Sequence, residues 1–430
     1  MRTEASEWTD RAQIAAEAVQ GRFGHRLIGL PGTWIASVQH PAHAAPAPWT
    51  EWHYWWQAHY MDALVDWAGR RQTEYGEGLL IPGSGGRRDV DAARASASVR
   101  TRSAAESAKP ALPAPLLLAG RLLRTIRIRN YLRLTNSYYD DMAWLALAAG
   151  RATSLARGIT GSDLPGARRA IHTLGGRLVR GHTQDLGGGT FWSTARDFKN
   201  TPATAPSALF FVRSGERERA LRLADWLRRL LYDPEQGLYM DGVHPHPDGP
   251  VVERTIYSYN QGPILAALLE LGGERHLSQA AELIDAVALR LTEPSRRDDG
   301  HSSGGAAPST SRPLRLHGGG DGGLFTGILV RHLVTAACWP GLPADARTKA
   351  TALVLDTAES LRTGRGGSPH PVFSSSISCP AGQDYPDGAA LQLSPQLQAW
   401  TIFEAAYRLT SASLENPEGR RRPGPPSRNN

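Results

Sequence analysis

Glu216-Arg-Glu-Arg-Ala-Leu-Arg-Leu-Ala-Asp-Trp-Leu-Arg-Arg-Leu-Leu231 carries one apolar face. Ala220, Leu223, Ala224, Leu227, Leu230 and Leu231 recur at helical spacing while arginines and acids fall between them. Comparable patterns predict helices near Glu4–Val19, Trp52–Arg70, Leu116–Arg127, Asp141–Leu155, Asp163–Val179 and Pro202–Arg213. They recur near Ile256–Leu271, Leu277–Leu291, Leu324–Ala337, Asp345–Leu361 and Ser394–Leu409, for about twelve helices in all. Alternating apolar segments between turn signals are scarce, which argues against a substantial sheet. Short connections such as Asp233-Pro-Glu-Gln-Gly237 make successive helices antiparallel neighbours. No strict sequence period is visible, so a closed ring of helical hairpins is expected rather than an open solenoid.

With 430 residues, 41% of them hydrophobic, the chain can bury a large core. The formal charge of +7 comes from arginines spread along the whole sequence, the only lysines being Lys109, Lys199 and Lys349. A nucleic-acid partner would call for a clustered basic stripe interleaved with aromatics, so none is expected. Cys338 and Cys379 stand apart from any metal-ligand spacing and are expected as two buried thiols. The first ten residues carry acids where a secretory leader would be basic and then apolar, which predicts a cytoplasmic protein. The most apolar run, Leu324–Trp339, is broken by Arg331 and His332, so no membrane span is expected. Stretches 83–115 and 296–320, rich in Gly, Ser and Pro, read as loop insertions, and 416–430 as a disordered tail on a single domain of residues 1–415.

The chemistry concentrates in Asn136-Ser-Tyr-Tyr-Asp-Asp-Met-Ala-Trp144. Asp140 and Asp141 precede an apolar helical face, so one reading is a capping aspartate followed by a first-turn acid, held by backbone N–H groups. The other is a working pair. Near a helix entrance, neighbouring side chains reach a substrate from different directions, the helix end keeps one carboxylate charged, and that charge keeps the second protonated. Unequal carboxyl groups of this kind cleave glycosidic bonds.

These strings resemble glycoside hydrolase family 76, the endo-α-1,6-mannanase family. The likeness rests on Tyr138-Tyr-Asp-Asp-Met-Ala-Trp144 together with Trp55-Trp-Gln-Ala-His59, Gly187-Gly-Gly-Thr-Phe-Trp192, Phe198-Lys-Asn200 and Asp241-Gly242. Tyr257-Ser-Tyr-Asn-Gln-Gly262 and Leu324-Phe-Thr-Gly-Ile-Leu-Val-Arg-His-Leu333 complete it, in order from about Trp8 to Leu409. The resemblance implies an all-α (α/α)6 barrel that hydrolyses α-1,6-mannosidic bonds with retention, Asp140 as nucleophile and Asp141 as general acid and base. Gln57 and Tyr139 lie in the matching strings and are taken as substrate-binding. Where family members continue the Lys-Asn string with an Ala-Asn-Gly-Pro-like turn, this chain has Thr201-Pro-Ala-Thr-Ala-Pro206.

Of the aromatic residues, Trp192 is the chosen sugar platform, most other tryptophans being expected in the core. Lys199, a lysine in an arginine-rich chain, and Asn200 beside it are candidate sugar contacts. Tyr259, Asn260 and Gln261 offer hydroxyl and amide groups to a glycan, against the plainer reading of helix-end capping. His244-Pro-His246 and Gly318-Gly-Gly-Asp-Gly-Gly323 match no metal or phosphate site, and no cofactor or metal is expected. Within the same chemistry, a transglycosylase stays open. So do a sugar epimerase working through histidines such as His25, His40, His43, His53 and His59, and a glycan-binding barrel without catalysis.

Overall fold

In a computed structural model, residues 4–42, 50–77, 111–294, 311–367 and 371–415 are described. Most of both expected insertions (78–110 and 295–310) and the expected tail lie outside these residues. Among the described residues, twelve helices of two turns or more follow in order: α1 Glu4–Phe23, α2 Tyr54–Glu77, α3 Ala114–Arg129, α4 Tyr139–Thr160, α5 Ala167–Gly181, α6 Thr201–Arg213, α7 Arg217–Leu230, α8 Ser258–Leu271, α9 Gly273–Arg290, α10 Gly322–Ala337, α11 Ala344–Thr363 and α12 Leu393–Glu415. Among the described residues, strands are two or three residues long and form sheets of two or three, one of which joins Gln39–His40 to Leu391–Gln392 across most of the sequence. The largest sheet joins Lys199–Asn200 (β1), Gly242–His244 (β2) and Val251–Glu253 (β3), with Asn200 opposite Gly242 and Gly242 opposite Glu253.

The even-numbered helices form a closed inner ring, α2 on α4, α4 on α6, α6 on α8, α8 on α10, α10 on α12 and α12 back on α2. The odd-numbered helices pack outside them, giving the (α/α)6 barrel. Sequence dictates the layer. α7, the amphipathic stretch quoted first, buries Ala220, Leu223, Ala224, Trp226 and Leu227 and turns its arginines outward. α8 and α10 are apolar almost all round and buried almost all round, because an inner helix meets the bore on one side and outer helices on the other. Helix boundaries moved most at the end of α2, expected at Arg70 and found at Glu77, and at the end of α12, expected at Leu409 and found at Glu415. The last residues of the 83–115 loop expectation belong to α3, which starts at Ala114.

A repeated clasp sets the entry to the inner helices. Gln57, fourth residue of α2, accepts from the Ala36 amide (3.1 Å) and donates to the Ala36 carbonyl (2.9 Å). Gln261 in α8 does the same to Tyr239 (2.9 and 2.9 Å), and Gln396 in α12 to Phe373 (2.9 and 2.7 Å). Thr204 takes this place in α6, accepting from the Thr190 amide at 3.0 Å. Each side chain substitutes for a missing strand neighbour and pins the preceding loop to the barrel rim. Gln261→Leu leaves the buried Tyr239 N–H and two carbonyls unpaired, and is expected to cost about 3 kcal/mol. Chemical denaturation measures it; a loss under about 0.5 kcal/mol would show that water replaces the clasp.

The cysteines differ from expectation. Cys338 is exposed at the end of α10 and Cys379 is half-buried in the loop before the single turn Ala381–Asp384, since both fall beyond the packed part of a helix.

Candidate active site

A cleft of about 750 Å³ opens where the inner helices begin. Asp140 and Asp141, in the first turn of α4, both line it, as do Asp241 and Asp321. Four carboxyl groups thus face one cavity, and among the described residues no arginine or lysine lines it.

The two neighbours differ in their partners. Asp140 accepts from the Asp141 amide (2.9 Å) and from the Trp192 indole N–H (3.1 Å). Asp141 accepts from the Asn136 side-chain amide at 2.5 Å. Burial raises the pKa of both, and Asp241 raises Asp140 further. Asp140's charge then raises Asp141, with Asp321 adding to the effect. Asp140, with two donors aimed at its charged form, is the more acidic member; Asp141 holds its proton well above the ordinary carboxylate range.

Trp192 reaches Asp140 because of the glycine triplet. Gly187, Gly188 and Gly189 all have positive φ, and a Cβ on Gly189 would sit 2.7 Å from the buried Trp226 ring. The chain can therefore lie flat on Trp226 and run on as Thr190-Phe191-Trp192, where the Trp192 carbonyl accepts from the Tyr139 amide at 2.7 Å. The Trp192 ring is 37% exposed and lies against Tyr138, leaving a face for a sugar. The opposite wall comes from the small sheet. Gly242 is required there, since a Cβ would meet the Phe198 ring at 2.5 Å, and the approach carries Phe198, Asn200 and Asp241 to the cleft.

Asn200 lines the cleft while its side-chain oxygen caps α6 through the Ala203 amide (3.1 Å). Tyr259 lines it too, stacked on Phe325 at 4.0 Å. Other expected contacts are elsewhere. Lys199 is fully buried, its ammonium donating to carbonyls of Thr183, Asp185, Gly188 and Gly189 and to the Thr183 hydroxyl. It ties the glycine strap down and does not face the cleft. Gln57 and Gln261 are consumed by their clasps. Asn260 is buried behind Asp241, donating to its carboxylate at 3.0 Å, and Tyr139 is buried with its ring over Gly181. Asn260 supports the lining Asp241, the Tyr139 amide bonds the carbonyl of the lining Trp192, and Lys199, Gln57 and Gln261 hold loop backbone.

Sequence reading missed Trp52, His53, Tyr54, Trp55, Asn136, Asp321 and Phe325 as lining groups. The signal for Asp321 was present: an acid set between Gly318-Gly-Gly and Gly322-Gly directly before a helix. It accepts from the Trp56 indole at 2.9 Å. Among the described residues, no cluster of three or more His, Cys, Asp or Glu side chains is arranged to hold a metal ion, and no helix is long and apolar enough to cross a membrane.

No curated protein matches the chain. Among solved structures, it is similar to the GH76A α-1,6-mannanase from Salegentibacter sp. HEL1_6, with 24% identity and a TM-score of 0.68 over 94% of this chain and 99% of that one. An inactive variant of that mannanase, with two adjacent aspartates changed to asparagine, is solved in complex with α-1,6-mannotriose. A family 76 mannosidase from Bacteroides thetaiotaomicron VPI-5482 shares 16% identity and a TM-score of 0.64, over 96% of this chain and all of that one. Dfg5 from Chaetomium thermophilum, solved with glucosamine, shares 14% and 0.59, over 94% and 90%. The sequence model of glycosyl hydrolase family 76 matches residues 128–410, about two thirds of the chain, from before the aspartate pair to the last inner helix. The chain therefore belongs to glycosyl hydrolase family 76 and is a glycoside hydrolase.

Proposed function

We propose that this hydrolase cleaves α-1,6-linked mannose chains with retention, through Asp140 and Asp141. The observation that carries the reading is the unequal pair: two neighbouring carboxyl groups on one cleft, one supplied with two N–H donors and the other kept protonated by its neighbour's charge. The mannanase and mannosidase likenesses support mannan as the polymer, and the inactive double-aspartate variant bound to α-1,6-mannotriose supports both the linkage and the pair.

In the first step the Asp140 carboxylate attacks the anomeric carbon, the bond to the leaving oxygen breaks, and Asp141 gives that oxygen its proton. In the second, Asp141, now a carboxylate, takes a proton from water as the water oxygen attacks the same carbon, and the ester to Asp140 breaks. Trp192 offers a flat face to the sugar and holds Asp140 in its charged form. Linkage-defined manno-oligosaccharides followed by proton NMR test the reading. The α-anomer of the new reducing end should form first, and from α-1,6 linkages. Early β-anomer would exclude retention, and cleavage confined to other linkages would exclude the substrate.

Both carboxyl groups titrate above the usual range, so the rate should follow a bell displaced upward, rising as Asp140 loses its proton and falling as Asp141 loses its own. Trp192→Phe removes a donor from the charged form of Asp140. Its pKa then rises further, and the acid limb of kcat/KM moves to higher pH by about one unit. An acid limb that stays in place would show that the indole does not stabilise the charge.

A further inference from the structure

A second cavity, of about 1080 Å³, opens at the opposite mouth of the barrel, where inner helices α2, α4, α6, α10 and α12 end. Its charges nearly balance. Asp62 and Asp66 each pair with Arg151 and Arg331, making a neutral group of four across the bore. Arg70 is matched by Glu404 (3.0 Å), and Arg213 by Glu270 (2.6 Å). Arg408 is left over. It lines the cavity from α12 and, among the described residues, makes no hydrogen bond or ion pair. Arg408 is exposed, its surface open to the cavity.

Helix-end charge compensation does not explain this residue. Arg408 lies about two turns before the end of α12, and the favourable effect of a cation on a helix dipole is confined to the last turn. Arg151 and Arg331 repel it, while Cys338 and the already shared Asp66 attract it. The field there is positive enough that His332, on the same cavity, is held neutral by burial and by Arg213, Arg331 and Arg151. Leu147, Ile171 and Phe210 give the remaining wall an apolar surface.

We propose that this cavity binds an organic carboxylate with an apolar body, its carboxylate taken by the guanidinium fork of Arg408. Arg157 and Arg168, also on the lining, share Asp163, so among the described lining arginines Arg408 alone has no carboxylate partner; one unpaired guanidinium fits a monoanion, and its planar fork fits a planar carboxylate through two parallel hydrogen bonds. The site is separate from the catalytic cleft, because the bore between them is filled. His59 lies there between Trp55 (5.5 Å) and Trp144 (5.0 Å), above the arginine–aspartate group.

Calorimetric titration of the full chain with benzoate, benzyl alcohol and phenyl phosphate tests this. Benzoate should bind one to one and at least tenfold more tightly than benzyl alcohol, with phenyl phosphate no tighter than benzoate. Arg408→Met should weaken benzoate at least tenfold, and Arg408→Lys, which keeps the charge and loses the fork, several-fold. The Asp140→Asn/Asp141→Asn chain should bind benzoate as the parent does, which separates this site from the cleft. Benzoate binding no better than benzyl alcohol, or unchanged in both Arg408 variants, would overturn the proposal. Tighter phenyl phosphate would overturn the monoanion assignment.

Discussion

Asp140→Asn is expected to lower kcat/KM on an α-1,6-mannan by roughly four orders of magnitude, and Asp141→Asn by a similar factor on a natural, poor leaving group. The two losses should separate when the leaving group is changed. An aryl α-mannoside with an acidic phenol needs no proton from Asp141, so Asp141→Asn recovers its first step and stalls at the glycosyl-enzyme. Added azide then releases an α-mannosyl azide, the product of two inversions. Asp140→Asn cannot form the ester, and azide enters directly to give the β-mannosyl azide. The same azide anomer from both variants would refute the division of roles. Neither asparagine should unfold the chain, because each side chain faces the cleft: Asp141→Asn keeps an acceptor oxygen for Asn136, and Asp140→Asn keeps one for the Asp141 amide while giving up the acceptor of the exposed Trp192 indole.

The order of charge within the pair explains why these neighbours occupy a helix entrance. At this position Asp140 can take the amide of Asp141 itself, so the second residue's backbone stabilises the first residue's charge. The capping reading of this motif does not hold, because the N-cap is Tyr138, without a side-chain cap bond, and both aspartates lie within the first turn of α4.

The ring was legible because inner and outer helices differ in pattern: α7 has one apolar face, while α8 and α10 are apolar throughout, and only a two-layer barrel needs both kinds. The carboxyl pair and Trp192 were legible because neighbouring acids and a glycine triplet before an aromatic are unusual locally. The side chains around them were harder to sort. Gln57, Gln261 and Lys199 have the polar chemistry of sugar contacts, yet they bond to backbone atoms 21, 22 and 10 or more residues away in sequence. Composition cannot tell a polar group that serves a ligand from one that serves a loop. Periodicity would have helped: glutamine at the fourth position of three inner helices is a repeat, and a repeat at helix entries points to architecture. Asp321 was overlooked although its glycine-flanked place before a helix marks it, because that segment was weighed only against a phosphate-binding loop, and Phe325 because an aromatic in an apolar helix reads as core.

Asp66→Ala is expected to destabilise the chain by about 4 kcal/mol in chemical denaturation. Asp66 is almost wholly buried between Arg151 and Arg331, and its second-turn neighbour Asp62 shares both cations. Burial opposes its charge, but Arg151 and Arg331, with Arg408 beyond them, outweigh it and hold its pKa below the usual range. Removing this carboxylate leaves three arginines around one aspartate, with less negative charge to offset their mutual repulsion. Because the folded pKa is depressed, Asp66 contributes stability that is fully present above about pH 4 and is lost as pH falls through the lower folded value. The parent should therefore lose stability in acid faster than Asp66→Ala does. Arg408→Met in the Asp66→Ala background should return part of the loss by removing one of the crowded cations. If that double variant were no more stable than Asp66→Ala alone, repulsion among the arginines would not be the cause.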